Sequence, residues 1–139
     1  MRIGVFDSGV GGLTVLKEVI KKYPNNQYFY FGDNINVPYG TKTKEELFCL
    51  ASNIIEFLLT KEVDMIVIAC GTVSSNIYSQ LVLKYDIPMF NVIDATINYV
   101  NNSNLENIGV IATDMTVKSK VFEKLNKKVI SKACPFFVP

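Results

Sequence analysis

Two residues able to carry out acid–base chemistry each follow an apolar stretch typical of a buried strand. Asp7 follows residues 2–6 and precedes a glycine-rich segment, and Cys70 directly follows residues 65–69. A carboxylate at the end of a strand costs free energy unless it is paired or used. A helix that begins after Cys70 would lower the pKa of its thiol. A thiol and a carboxylate beside a glycine-rich turn suggest proton transfer on a small acidic substrate.

Both features also have plain structural interpretations. The backbone N–H groups of Gly9, Gly11 and Gly12 could hold an anion, or the glycines could only permit a tight turn from strand to helix. The segment matches neither the dinucleotide-binding nor the P-loop pattern, so support for nucleotide binding is weak. Cysteine is often a small buried apolar residue. We expect this of Cys49 within a helix, and both interpretations stay open for Cys70.

Composition favours one cytosolic domain and excludes several kinds of site. The chain has 139 residues, of which 49% are hydrophobic and 19% charged, with a net charge of +1. The absence of histidine excludes Ser–His and Cys–His catalysis within the chain, as well as histidine metal sites. Three cysteines without a CxxC pair argue against a disulfide framework and a thiolate zinc site. No apolar run approaches the roughly 18 residues of a membrane span.

Apolar runs alternate with segments of helical periodicity about five times, which predicts a doubly wound parallel sheet. The expected fold is an α/β protein, a three-layer α/β/α sandwich with a parallel, flavodoxin-like sheet in the order 2-1-3-4-5. The spacing of Thr43 and Glu46 predicts a capping box at the start of the second helix. Strands are predicted at 2–6, 28–31, 65–69, 88–93 and 108–112, with a sixth beginning at 129, and helices at 13–23, 44–58, 73–85, 95–101 and 118–127.

Four segments, taken in order, resemble the glutamate racemases of the aspartate/glutamate racemase superfamily. They are Ile3–Leu13, Tyr30–Asp33 with Val37–Lys42, Ala69–Thr72, and Ser131–Pro139. The resemblance covers the whole chain. It implies inversion of glutamate at Cα without a cofactor, by two cysteines on opposite faces of the substrate, with D-glutamate supplied to peptidoglycan synthesis.

The resemblance also implies roles for individual residues at the carboxyl edge of the sheet. Cys70 would be one of the two acid/base cysteines, and Asp7 and Ser8 would contact the substrate ammonium and tune the thiol. The other substrate contacts would come from Tyr39, Gly40, Gly71, Thr72, Thr113 and Thr116.

Two departures from the family pattern leave other functions open. Gly71 stands where the family has a substrate-contacting asparagine. Residues 1–139 also correspond to only the first of two lobes, and Cys134 does not match the second catalytic cysteine. The alternatives are an aspartate racemase or another superfamily member, and a lobe that binds a small acid or a partner without catalysis.

The expected partners are glutamate and either the second lobe or another copy of the chain, bound through the exposed apolar stretch 134–139. Six lysines between Lys118 and Lys132 are better explained by a solvated helix face than by nucleic-acid binding.

Overall fold

The computed structural model describes residues 1–134, in which parallel strands alternate with helices. This confirms the predicted α/β class with a parallel sheet. None of the helices in residues 1–134 is both long and apolar enough to cross a membrane. Short 3₁₀ helices lie at Tyr39–Thr41 and Val121–Lys124. The regular elements are β1 Arg2–Asp7, α1 Gly12–Lys22, β2 Gln27–Gly32, α2 Lys44–Leu59, β3 Met65–Ile68, α3 Gly71–Asn76, α4 Tyr78–Lys84, β4 Met89–Asn91, α5 Val92–Asn101, β5 Asn107–Ala112, α6 Asp114–Lys118 and β6 Lys128–Ala133.

The strands form two separate sheets. Strands β2, β1, β3 and β4 lie side by side in the predicted order, whereas β5 pairs in parallel with β6. The prediction that a fifth strand extends the first sheet is therefore wrong. The physical reason is a second apolar cluster, in which Ile93 and Ile97 of α5 pack against Val121 and Leu125 and draw β5 away from β4.

Helix α2 covers one face of the four-stranded sheet. It begins with the predicted capping box, in which the backbone N–H of Glu46 donates to Oγ1 of Thr43 at 3.2 Å and the Thr43 N–H donates to the Glu46 carboxylate at 2.7 Å. On the face of β1 toward α2, Gly4 leaves space for Leu58, whose Cδ1 would lie 3.1 Å from a Cβ at that position.

Cys49, on the same helix, is exposed, which contradicts its predicted burial. Two residues rotate a helix by about 200°, so Cys49 points away from buried Leu47.

The helix predicted over 73–85 is broken at Ile77 into α3 and α4. The side chains of Ser74, Ser75 and Asn76 donate hydrogen bonds to carbonyl oxygens of the preceding turn, and such bonds compete with continuation of the helix. The helix predicted over 118–127 is also wrong in extent. Lys120 adopts a left-handed backbone conformation, with φ of 58°, and separates α6 from the 3₁₀ helix that follows.

Candidate active site

A cleft of about 740 Å³ opens at the carboxyl ends of β1 and β3. It contains seven of the nine predicted site residues, and the other two, Tyr39 and Gly40, line an adjoining cavity of about 520 Å³. Ser8, Thr72 and Thr113 lie between the two cavities and line both. The main cleft is lined by both polar and apolar residues. The seven residues are Asp7, Ser8, Cys70, Gly71, Thr72, Thr113 and Thr116, and the apolar residues include Val110, Ile111 and Phe122.

The carboxylate of Asp7 holds the glycine-rich turn closed. Its Oδ2 accepts hydrogen bonds from the backbone N–H groups of Gly9, at 3.2 Å, and Gly12, at 3.0 Å. A Cβ at position 12 would lie only 2.6 Å from the Cβ of Asp7, so only glycine fits there. Because two N–H groups of the turn already bind Asp7, the structure favours the tight-turn interpretation over an anion-binding turn.

Tyr30 supports the same turn from β2, and the sequence analysis did not single it out. Its hydroxyl donates a hydrogen bond to the carbonyl oxygen of Gly9 at 2.8 Å. Burial, followed by the negative charges of Asp7 and Cys70, raises the pKa of Tyr30 to about 12. Tyr30 therefore remains a protonated hydrogen-bond donor throughout the neutral range. Tyr30 lies within a strand that contains several aromatic residues, so the sequence around it does not indicate this role.

The thiol of Cys70 lies at the floor of the cleft and is only 3% exposed. Its Sγ donates a hydrogen bond to Oγ of Ser8 at 3.5 Å. Burial raises the pKa of the Cys70 thiol and the nearby charge of Asp7 adds to the increase, while hydrogen bonds that Ser8 and the Val73 N–H make to the thiolate form oppose it. The expected lowering by a helix N-terminus is therefore wrong. Helix α3 has only six residues, and burial outweighs its contribution.

Three predicted threonines meet where α3 and α6 approach each other. The Oγ1 atoms of Thr72 and Thr113 are 3.2 Å apart, and that of Thr113 donates to Thr116 at 3.0 Å. Ser75, which the sequence analysis did not include, donates to Thr116 at 3.2 Å. These hydroxyls bind one another, and Thr116 accepts from both Thr113 and Ser75, so its own O–H is directed to neither and can donate to a substrate carboxylate.

Tyr39 is anchored by a buried carboxylate that the sequence analysis did not assign to the site. Its hydroxyl donates to Oδ2 of Asp33 at 2.6 Å, and Nδ2 of Asn36 donates to both oxygens of the same carboxylate at 2.9 Å. Burial, and then the hydrogen bond to Asp33, raises the pKa of Tyr39. This bond fixes the 3₁₀ helix that begins at Tyr39, in which Gly40 lies against Thr113. Asp33 directly follows β2, just as Asp7 is the last residue of β1. The sequence signal that indicated Asp7, a carboxylate at the end of a strand, was therefore present for Asp33 as well.

Position 71 has open space around it. A Cβ built on Gly71 would meet no atom within 4 Å. The Cβ of an asparagine, the residue of the family pattern, therefore has room beside Cys70.

The other two cysteines lie outside the cleft. Cys49 is on the exposed side of α2, and Cys134 follows β6. The predicted exposed apolar stretch 134–139 falls outside the described residues, apart from Cys134. Within residues 1–134, no three acidic or cysteine side chains come together as a metal site.

The fold and the cleft define an α/β protein with a buried thiol, a carboxylate and several hydroxyls at the carboxyl edge of a parallel sheet. The model of the Asp/Glu/Hydantoin racemase family matches residues 4–137. The chain belongs to this family, which confirms the family resemblance drawn from the four sequence segments.

Individual relatives agree with this assignment. The chain is 44% identical over 144 residues to a glutamate racemase of Hydrogenobaculum sp., covering all of this chain and 56% of the relative. The structure of the Aquifex pyrophilus glutamate racemase is similar with a TM-score of 0.91 and 40% identity, over 99% of this chain and 56% of that one. That of the Francisella tularensis glutamate racemase in complex with D-glutamate is similar with a TM-score of 0.85 and 39% identity, over 98% and 54%. The chain thus spans just over half the length of these relatives.

Proposed function

We propose that this chain provides one half of a glutamate racemase site, in which Cys70 exchanges a proton with the Cα of glutamate. The observation that carries the proposal is the Cys70 thiol at the floor of the cleft, 3.5 Å from the Ser8 hydroxyl. The relatives support glutamate as the substrate, since they are glutamate racemases and one of them was determined with D-glutamate bound.

The raised pKa of Cys70 fits a proton donor in the resting protein. In one direction the thiol gives its proton to the carbanionic Cα, and the electron pair that was delocalised into the substrate carboxylate forms the new C–H bond. In the reverse direction the thiolate removes that proton, and the C–H electron pair returns to the carboxylate. The positive ammonium of a bound amino acid would lower the pKa of Cys70 and favour this reverse step.

Inversion requires a second acid/base on the opposite face of Cα, because one group that returns its own proton regenerates the same enantiomer. Neither Cys49 nor Cys134 lines the cleft. The proposal therefore assigns the second group to a polypeptide segment other than residues 1–134. From the family resemblance we also propose that the enzyme is cytoplasmic and needs no cofactor. The D-glutamate that it forms would enter peptidoglycan synthesis.

A lobe that binds a small acid without catalysis is the second candidate. The open space at Gly71 favours it, because the amide that would contact the substrate is absent there. Aspartate is the alternative substrate, since the family model covers aspartate, glutamate and hydantoin racemases alike.

Exchange of the glutamate Cα proton with deuterium tests the leading proposal. The chain is incubated with L-glutamate in D₂O, and loss of the Cα–H signal is followed by NMR. We expect slow exchange that Cys70→Ser abolishes and that Cys49→Ser, the matched change on the exposed side of α2, leaves unchanged.

Circular dichroism of the same samples should show no loss of optical activity, since a single acid/base cannot invert Cα. Glutamate binding without exchange would favour the binding-only candidate. Equal exchange in the wild type and Cys70→Ser would overturn the assignment of Cys70.

A further inference from the structure

Strand β2 holds the carbonyl group of Gly9 in place behind the cleft. Tyr30 donates to this oxygen at 2.8 Å, and within residues 1–134 the oxygen receives no other hydrogen bond. Gly32 lies two residues further along the same face of β2, and a Cβ there would be only 2.5 Å from the Gly9 oxygen. A hydrogen-bond donor and a close backbone approach therefore fix this carbonyl together.

Ser8 lies between two backbone positions that are both fixed. On one side, Asp7 is the last residue of β1 and pairs with Gly32. On the other side, Gly9 donates its N–H to the Asp7 carboxylate and accepts from Tyr30 through its carbonyl. In residues 1–134 the Ser8 hydroxyl has one hydrogen-bond partner, the Cys70 sulfur at 3.5 Å. Its place beside the sulfur therefore depends on how its backbone neighbours are held.

The Ser8 hydroxyl matters most when Cys70 loses its proton. Hydrogen bonds from Ser8 lower the pKa of Cys70 and so favour the thiolate. A thiolate has no proton to donate, so the hydroxyl of Ser8 must then donate to the sulfur. The hydroxyl has to stay within reach of the sulfur in both protonation states.

We propose that Tyr30 is a positioning residue for Cys70, acting through the Gly9 carbonyl and the Ser8 hydroxyl. Tyr30 does not line the cleft, so it acts from behind the glycine-rich turn and does not touch the substrate. This inference deepens the proposed function, on which it rests for the use of the thiolate in proton transfer.

The rate at which iodoacetamide alkylates Cys70 tests this role without substrate. Only the thiolate reacts, so at a pH below the pKa the rate is proportional to the thiolate fraction. Mass spectrometry gives the rate at Cys70 between about pH 7 and pH 10, with the exposed Cys49 of the same molecule as a reference. The titratable groups whose charges interact with Cys70 are Asp7 on β1, Tyr30 on β2 and Tyr39 on the 3₁₀ helix, and the raised pKa values of both tyrosines keep them neutral over this range.

The variants are Tyr30→Phe, Ser8→Ala and the combination of the two. The matched control is Tyr28→Phe, which removes a hydroxyl from the same face of β2, where it donates to the Tyr23 carbonyl at 2.8 Å. We expect the pKa of Cys70 to rise by about one in each single variant, so that Cys70 reacts about tenfold more slowly. Tyr28→Phe should leave the rate unchanged. The combined variant should be no slower than Ser8→Ala, because both changes remove the same interaction.

Equal rates in the wild type and Tyr30→Phe, the same loss in Tyr28→Phe, or additive effects in the combined variant would overturn the proposal. So would a wild-type Cys70 that does not react over the whole pH range, since there would be no thiolate to position. If Tyr30→Phe fails to fold, Gly32→Ala should slow the reaction in the same direction, because its Cβ would displace the same carbonyl. An unchanged rate in Gly32→Ala would then count against the role of Tyr30.

Exchange of the glutamate Cα proton with deuterium separates this inference from the proposed function. Alkylation of Cys70 that depends on Tyr30, without any proton exchange, would contradict racemisation and leave the positioning role intact. Exchange that Tyr30→Phe leaves unchanged would contradict the positioning role and leave the proposed function intact.

Discussion

Restoring an amide beside Cys70 should strengthen glutamate binding. In Gly71→Asn the new Cβ meets no atom within 4 Å, so adding it carries no steric cost. Position 71 is the first residue of α3, and the two residues differ in helix propensity by only a few tenths of a kcal/mol. The change therefore acts mainly through the hydrogen bonds that the amide makes to the substrate.

The expected size of the effect follows from the charge of the ligand. A hydrogen bond to a charged group contributes about 1.5–3 kcal/mol, which corresponds to about one to two decades in the dissociation constant. Exposure of the cleft to water favours the lower end of this range, because solvent competes for the same groups.

Calorimetric titration of L-glutamate into the wild type, Gly71→Asn and Gly71→Ala would measure this effect. The alanine variant restricts the backbone in the same way but lacks the amide. The reasoning is refuted if the asparagine variant binds no more tightly than the wild type, or if alanine gives the same gain.

Two further predictions concern the stability of the fold, measured by urea unfolding. Gly12→Ala should cost about 1–3 kcal/mol through overpacking, because its Cβ would lie 2.6 Å from a neighbouring side-chain carbon. Gly109→Ala, where a Cβ meets nothing within 4 Å, should cost nothing, and equal losses would contradict the reasoning. Below pH 9.0, the ordinary pKa of a thiol, Cys70 is protonated in both the folded and the unfolded protein. Above that pH the unfolded protein ionises at Cys70 more readily than the folded protein, because burial raises the pKa in the folded state, so the free energy of unfolding falls. The wild type should therefore lose stability at alkaline pH more steeply than Cys70→Ser, and parallel curves would argue against burial as the cause.

Features that depend on local sequence and on strand order could be predicted. The capping box of Thr43 and Glu46 is a short-range pattern, and it is present as expected. The order of the first four strands follows from right-handed crossovers, and it brought Asp7 and Cys70 to one edge of the sheet.

Features that depend on non-local packing were missed. The pairing of β5 with β6 depends on a separate apolar cluster, and the buried residues of that cluster come from α5 and from residues 121–125, which are far apart in sequence. Periodicity within each segment cannot show which of two sheets a strand will join. The bond between Tyr39 and Asp33 was missed for a similar reason, because the loop must fold back before the hydroxyl and the carboxylate meet.

The pKa of Cys70 shows most clearly why position alone did not define the chemistry. Its place before a helix predicted a lowered pKa, but the dipole of a six-residue helix is opposed by nearly complete burial and by Asp7. Asp7 is held in place because its carboxylate closes the glycine-rich turn, so the same residue shapes the cleft and disfavours the thiolate. A group of opposite charge is then needed to form the thiolate, and the ammonium of the amino acid itself supplies one. Under the proposed function, activation of Cys70 therefore depends on substrate binding and is not a property of the empty cleft.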